Sequence, residues 1–531
     1  VQHFEIVILI FVVLIALLAV ADNLRIPDSI LLVVAGLGIS FIPSLPQLSL
    51  DPAIVFLLFL PPVLYHAASQ TSWHDFKTEI GPISTLAIAL VFLTTVAVAT
   101  ASYFLIPGFT WPMAFVLGAI VSPPDAVAAT NITRGLGLNR RIVTILEGES
   151  LVNDASALVA YRYAIAAVGT GVCVLWQAGL HFIFVVCGGI IAGIVVGYLL
   201  IQVHKRILNN STLSTSLTLL TPFIAYLTAE RFHTSGVLAV VSAGLLISWR
   251  APEIFSYNTR IRNRAVWSTV IFLLNGFIFI LIGMQMASIL KDLEGYKVGH
   301  LVIYGLIVSG VTIAIRILWV FGSAYSPFTR KQHDTWKGVL IVAWTGTRGI
   351  VSLATALALP LTLDNGDIFP QRSLILFLAF IVIFVTLVIQ GVSLPLLIKI
   401  LKVHPVPGYS DQEKELRLLV ANRVLNFVHR RFTDPQHLHA KARIERRFKE
   451  TANFLSKELA DAVPGLEPDK NQDHDPSAML HITTEIHQFQ RELLINFHKE
   501  GLYDQSIIRQ LELELDHEES QLNRKASRKV I

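Results

Sequence analysis

Up to about Leu401 the chain is built of long apolar blocks separated by short polar joints; beyond it, apolar residues recur singly at helical spacing among charges. A helix that crosses a ~30 Å hydrocarbon layer needs about 20 mostly apolar residues. Blocks of this kind occupy Glu5–Ala21, Ser29–Pro43, Ala53–Ala68, Pro82–Ile106, Pro112–Thr130, Ile142–Val168, Cys173–Val203, Ser214–Ala229, Ser235–Trp249, Ser268–Ile289, Leu301–Gly322, Trp336–Pro360 and Ser373–Leu401. They predict an all-α polytopic membrane protein with about 13 transmembrane helices. The run Ile6 to Val20 lacks a preceding basic region and a clear small-residue cleavage site, so it reads as a span and not as a signal peptide. The two patterns predict a membrane domain over 1–401 and a helical tail over 402–531. Tail helices are expected at Ser410–Arg431, His437–Ala462, Pro476–Glu500 and Asp504–Asn523.

The joints carry charge unevenly. Those after odd-numbered spans hold about fourteen Lys and Arg, among them Arg140, Arg141, Arg260, Arg262 and Arg264, and those after even-numbered spans about four. Basic loops stay cytoplasmic. The N-terminus is therefore expected outside a plasma membrane and the tail inside the cell. Composition agrees, with 53% hydrophobic and 15% charged residues, against about 25% charged in soluble domains. The formal net charge of +4 is mild, and no nucleic-acid partner is expected. There is no nucleotide-binding Gly-rich loop, no His-Glu-x-x-His and no Gly-x-Ser-x-Gly elbow, so neither an enzyme nor a cofactor is expected. The tail histidines His429, His437, His439, His481 and His487 read as surface residues on solvated helices.

Ionisable side chains inside a bilayer are expensive and are functional candidates by default. They concentrate in three places. Val121-Ser122-Pro123-Pro124-Asp125 puts two prolines in mid-span, which removes two backbone donors and breaks the helix. Broken backbone at that depth persists only where protein buries it or a cavity wets it, and its carbonyls can then hold a cation. Glu147-Gly148-Glu149-Ser150-Leu151-Val152-Asn153-Asp154 is the second place. Glu147, Ser150 and Asp154 share one helical face, and Glu149 and Asn153 are an i, i+4 pair on the next. A desolvated carboxylate binds either a proton or a small cation, and that competition is the chemistry of an exchanger. The third place is Gly346-Thr347-Arg348-Gly349, where a permanent cation in mid-span needs a carboxylate; Glu149 is the expected partner, with Glu147 as the alternative. Arg162 and Arg316 are expected to snorkel or pair locally, and Glu230 to be solvated near an outer helix end.

Phe59-Leu60-Pro61-Pro62, Ser122–Asp125, Gly148–Asp154 and Gly346–Gly349 occur in this order. Together they resemble the NhaP-type and eukaryotic exchanger branch of the monovalent cation:proton antiporters. The resemblance implies inverted repeats with two discontinuous helices that cross, a homodimer, and alternating access. It makes Asp154 the carboxylate that binds cation and proton, with Ser150 a direct or near ligand of the transported Na⁺. Asn153 goes with electroneutral one-for-one exchange, Asp125 is the acidic residue at the crossing, and Glu149 with Arg348 is a structural ion pair. Two positions depart from the family: Pro124 replaces a frequent threonine, and His66 stands where an acidic residue is usual, which makes it a candidate gate or pH-sensitive group. The function so implied is Na⁺ (or Li⁺) exchange for H⁺ across the bilayer. A K⁺/H⁺ antiporter is the alternative, and a cation channel or membrane sensor a remote one.

Overall fold

A computed structural model describes residues 10–17, 19, 28–41, 52–125, 140–170, 175–207, 210–325, 336–363, 366–401, 409–433, 438–458, 476–501, 503 and 505–527. The described residues are almost wholly helical, with a single isolated β-bridge between Thr362 and Ile368. The helices are α1 (Asp28–Ser40), α2 (Pro52–Gln70), α3 (Trp73–Thr78), α4 (Ile80–Leu105), α5 (Trp111–Val121), α6 (Arg140–Thr170), α7 (Leu175–Arg206), α8 (Ser211–Arg231), α9 (Gly236–Ile254), α10 (Tyr257–Asp292), α11 (Val298–Ala324), α12 (Trp336–Trp344), α13 (Ile350–Leu357) and α14 (Arg372–Leu401). In the tail they are α15 (Tyr409–Arg431), α16 (Leu438–Glu458), α17 (Pro476–Glu500) and α18 (Gln505–Ser527).

Seven of the described helices, α4, α7 to α11 and α14, are long and apolar enough to cross a membrane. Helix α6 carries Glu147, Glu149, Asp154 and Arg162 among its apolar residues, and its 31 residues reach about 46 Å, ample for a bilayer. The expected fifth and twelfth spans are both interrupted. Helix α5 stops at Val121, ahead of Pro123 and Pro124, and the part of that span beyond Asp125 lies outside the described residues. The twelfth divides into α12 and α13 around a non-helical stretch at 345–349 that holds two glycines. Both ends of the expected first span, and several basic joints, also lie outside the described residues.

The chain forms two compact units. The first comprises 1–206, 215–250 and 265–404. Its helices approach closely where side chains are small. Gly189, Gly193 and Gly197 of α7 lie against Ser235, just before α9, and Ala239 and Ala243 within it, and a Cβ on Gly189 would sit 2.6 Å from the Ser235 carbonyl oxygen. Where lipid and side chain are equally apolar, such close packing is a main source of helix association.

The second unit comprises 207–214, 251–264 and 405–531. Its amphipathic helices bury Leu416, Val424, Val428, Ile482, Ile507 and Ile508 in a common core. Asp516, with a side chain 2% exposed, accepts from Arg260 and from Arg491, the latter at 3.0 Å. His487 departs from the expected surface position: its side chain is 6% exposed and lies 3.4 Å from Glu518. Helix α17 turns that position inward with Ile486, against α18, whereas His429 and His481 stay exposed.

Candidate ion-binding crossing

The site is built where the end of α5 meets the gap between α12 and α13, against the middle of α6. Pro123 cannot supply the N–H that would close the last turn of α5, and the Ser122 hydroxyl donates to the Ala119 carbonyl at 3.1 Å instead. The Asp125 N–H leaves the helix and donates to the Thr347 carbonyl at 2.7 Å, while the Thr347 hydroxyl donates back to the Asp125 carbonyl at 3.2 Å. The two broken segments thus satisfy each other's backbone, as buried polar groups require.

Charge follows the helix ends. The carbonyls that finish α5 form the negative end of its dipole, and there Arg348 donates from Nε to the Val121 carbonyl at 2.9 Å and from Nη2 to the Ser122 carbonyl at 3.3 Å. A third bond runs from Nη1 to the Gly346 carbonyl. At the positive end of α13 the Asp125 carboxylate accepts the Ile350 N–H at 3.2 Å. Gly349 is required for this approach, because a Cβ there would collide with that carboxylate. Gly346 is required for another: a Cβ would lie 2.6 Å from the Arg316 Cδ and 3.1 Å from the Arg348 Nη1.

Helix α6 brings in the remaining groups. Asn153 is fully buried, and its Nδ2 donates to the Pro124 carbonyl at 2.8 Å. Its Oδ1 is buried with no hydrogen-bond partner among the described residues. Asp154 follows it, 6% exposed, and Ser150 lies one turn earlier, half-buried. Ser352 of α13 donates to the Pro123 carbonyl at 3.4 Å. Asn153, Asp154, Asp125 and Arg348 therefore meet at one crossing. His66 lies on α2, where its ring stacks on Trp267 of α10 with centroids 6.0 Å apart.

The expected Glu149–Arg348 ion pair is not formed. Glu149 is held by Arg316 of α11, with Nη1 to Oε1 at 2.5 Å and Nη2 to Oε2 at 2.9 Å, and Arg316 also donates to the Val342 carbonyl at 3.1 Å. Both side chains are at most 2% exposed. The reason is geometric. Arg348 is spent on the Val121, Ser122 and Gly346 carbonyls, which are open because α5 ends and the Asp125 N–H turns away to Thr347, and the Glu149 face of α6 looks toward α11. A signal for Arg316 is present in the sequence. It lies eight residues from the nearer end of its helix, about 12 Å, too deep to snorkel. Arg162, by contrast, pairs with Glu230 of α8 at 2.7 Å.

The chain matches the transmembrane sodium/hydrogen exchanger family over residues 8–400. It is 31% identical over 513 residues to an uncharacterised Na⁺/H⁺ exchanger of Mycobacterium tuberculosis, covering 94% of this chain and 92% of that protein. It is 33% identical over 404 residues to a sodium, potassium, lithium and rubidium/H⁺ antiporter of Bacillus pumilus, covering 72% of this chain and 60% of that protein. Its fold is similar to that of the sodium proton antiporter MjNhaP1 from Methanocaldococcus jannaschii, with a TM-score of 0.60 at 20% identity, over 75% of this chain and 97% of that one.

Proposed function

Because this chain belongs to the sodium/hydrogen exchanger family and is a cation/proton antiporter, we propose that it exchanges Na⁺ or Li⁺ for H⁺ one for one, by alternating access, with Asp154 holding cation and proton in turn. The observation that carries this reading is the pair of neighbours on α6: a buried carboxylate, Asp154, beside an unpartnered buried acceptor, Asn153 Oδ1. An ionised carboxylate left alone in a low-dielectric interior is costly, so Asp154 moves across the membrane only when a cation or a proton neutralises it. Asn153 Oδ1, buried and without a hydrogen-bond partner among the described residues, and the Ser150 hydroxyl one turn earlier are the oxygens that would complete the shell of a bound Na⁺.

The stoichiometry follows from the fixed charges. Counted over the crossing and the Glu149–Arg316 pair alone, Asp125, Glu149 and Asp154 carry three negatives and Arg316 and Arg348 two positives, which leaves one negative to balance. Asn153 cannot titrate, Asp125 is committed to the α13 N-terminus and Glu149 to Arg316. One monovalent cation or one proton then closes the sum. The same reading makes the protein a homodimer in the plasma membrane, as the family resemblance implies, and the loop charges support an N-terminus outside and a tail from Lys402 in the cytoplasm.

The second reading is a broader cation set that includes K⁺, which the printed name of the Bacillus pumilus relative favours. Proteoliposomes separate the two. Na⁺ or Li⁺ added to vesicles with a preset ΔpH dissipates it, and clamping the voltage with valinomycin and K⁺ leaves the rate unchanged. K⁺ itself is tested without valinomycin; dissipation by K⁺ alone would replace the first reading with the second.

A further inference from the structure

Asp154, Leu158 and Tyr161 follow one another on a single face of α6. One turn beyond Asp154 this face lines a cavity of about 790 Å³, partly open and bounded also by Tyr226 and Glu230 of α8 and by Thr362 after α13. Arg162 and Glu230 stand in its wall, joined at 2.7 Å with side chains 44% and 30% exposed. Arg162 also reaches the Tyr226 hydroxyl at 3.5 Å. Tyr161 lines the same cavity, 4% exposed, with a hydroxyl that has no hydrogen-bond partner among the described residues.

We infer that this cavity is the approach to Asp154 from the Glu230 end of the membrane domain, and that Glu230 controls cation entry by neutralising Arg162. This rests on the exchange reading above. A guanidinium in the wall of a low-dielectric funnel repels any entering cation, and clefts focus such fields. Arg162 lies eight residues beyond Asp154, about 12 Å along the axis. Unpaired, a unit charge at that distance and an effective dielectric constant of ~20 shifts monovalent occupancy about tenfold. With Glu230 in place the wall is neutral and the cation meets no such barrier. Glu230 is therefore a positioning residue that acts through Arg162.

The test is Na⁺-driven ΔpH dissipation in proteoliposomes, with the cation presented to one face at a time, for wild type, Glu230→Gln, Arg162→Gln and the double variant. Each protein is first checked for an unchanged thermal unfolding midpoint in detergent. Glu230→Gln raises the apparent KM for Na⁺ from the Glu230 face about tenfold, with far less change in kcat, and inert choline salt shrinks the effect by screening. Arg162→Gln shifts KM the opposite way, and the double variant returns it to within about twofold of wild type. If both single variants move KM in the same direction, or lower kcat equally from both faces, or leave KM unmoved, the inference is overturned while exchange itself stands. Absence of exchange in wild type would overturn the exchange reading, and this inference with it.

Discussion

In the membrane unit, Glu149 and Arg316 meet through two hydrogen bonds with side chains 2% and 1% exposed. In the tail, Arg446 and Glu450 meet at 3.0 Å with side chains 55% and 61% exposed. The chemistry is the same, and burial separates the two. A surface pair exchanges water for a partner at little gain. A buried pair has already lost its water, so each partner depends on the other. In the exchange proposed above, the buried pair therefore stays fixed while Asp154 binds the ion, whereas the tail can gain or lose single pairs at small cost.

Breaking the buried pair gives the largest effect on stability. Glu149→Ala leaves Arg316 with only the Val342 carbonyl and costs ~3–5 kcal/mol, read as a lowered unfolding midpoint in detergent. Replacing both by leucine recovers most of that loss, because the cost lies in the orphaned charge; equal losses in the single and double variants would contradict the comparison. Asp516 in the tail is intermediate, since its carboxylate is buried but its partners Arg260 and Arg491 are 15% and 20% exposed. Asp516→Asn costs about 1.5–3 kcal/mol, seen as faster hydrogen exchange in α17 and α18.

Acid affects the tail through α18 only below the ordinary carboxylate range. Hydrogen bonding from Arg417 holds Glu514 below its ordinary 4.5, and His487 with Arg447 does the same for Glu518. Each carboxylate binds its proton less tightly folded than unfolded, so its stabilisation is present above the ordinary value and is lost as pH falls through the lowered one. Hydrogen-exchange protection of α18 in the whole protein should therefore hold at neutral pH and decline only below 4.5. The smallest effect belongs to Arg446→Ala, which changes stability by less than ~0.5 kcal/mol.

The helices were legible because the bilayer and the tail core impose simple periods. The expected tail helix Pro476–Glu500 coincides with α17, and the expected span Ile142–Val168 lies within α6. Both interruptions fall at residues that weaken a helix, Pro123 and Pro124 in one segment and Gly346 and Gly349 in the other, but such residues do not decide a break alone, since Pro61 and Pro62 lie inside α2. Hydropathy alone carried the fifth span to Thr130, past the break at Val121, because it counts proline as nearly neutral. Partners were less legible than elements. Glu149 and Arg316 are separated by 167 positions, and Arg162 and Glu230 by 68, and nothing local in the chain fixes which deep arginine faces which carboxylate. Arg348 misled by its chemistry: a buried cation needs acceptors, and here main-chain carbonyls supply them in place of a carboxylate. His487 was hidden because one inward position on an amphipathic helix looks, in sequence, like any other polar one.

The central claim is that a single carboxylate, Asp154, carries cation and proton in turn. The most direct measurement is Na⁺- and Li⁺-driven ΔpH dissipation by Asp154→Asn in proteoliposomes beside wild type, with equal incorporation and an unchanged unfolding midpoint. Wild type should dissipate the gradient and Asp154→Asn should not, since an amide takes up neither ion. Normal exchange by a folded Asp154→Asn protein would contradict it.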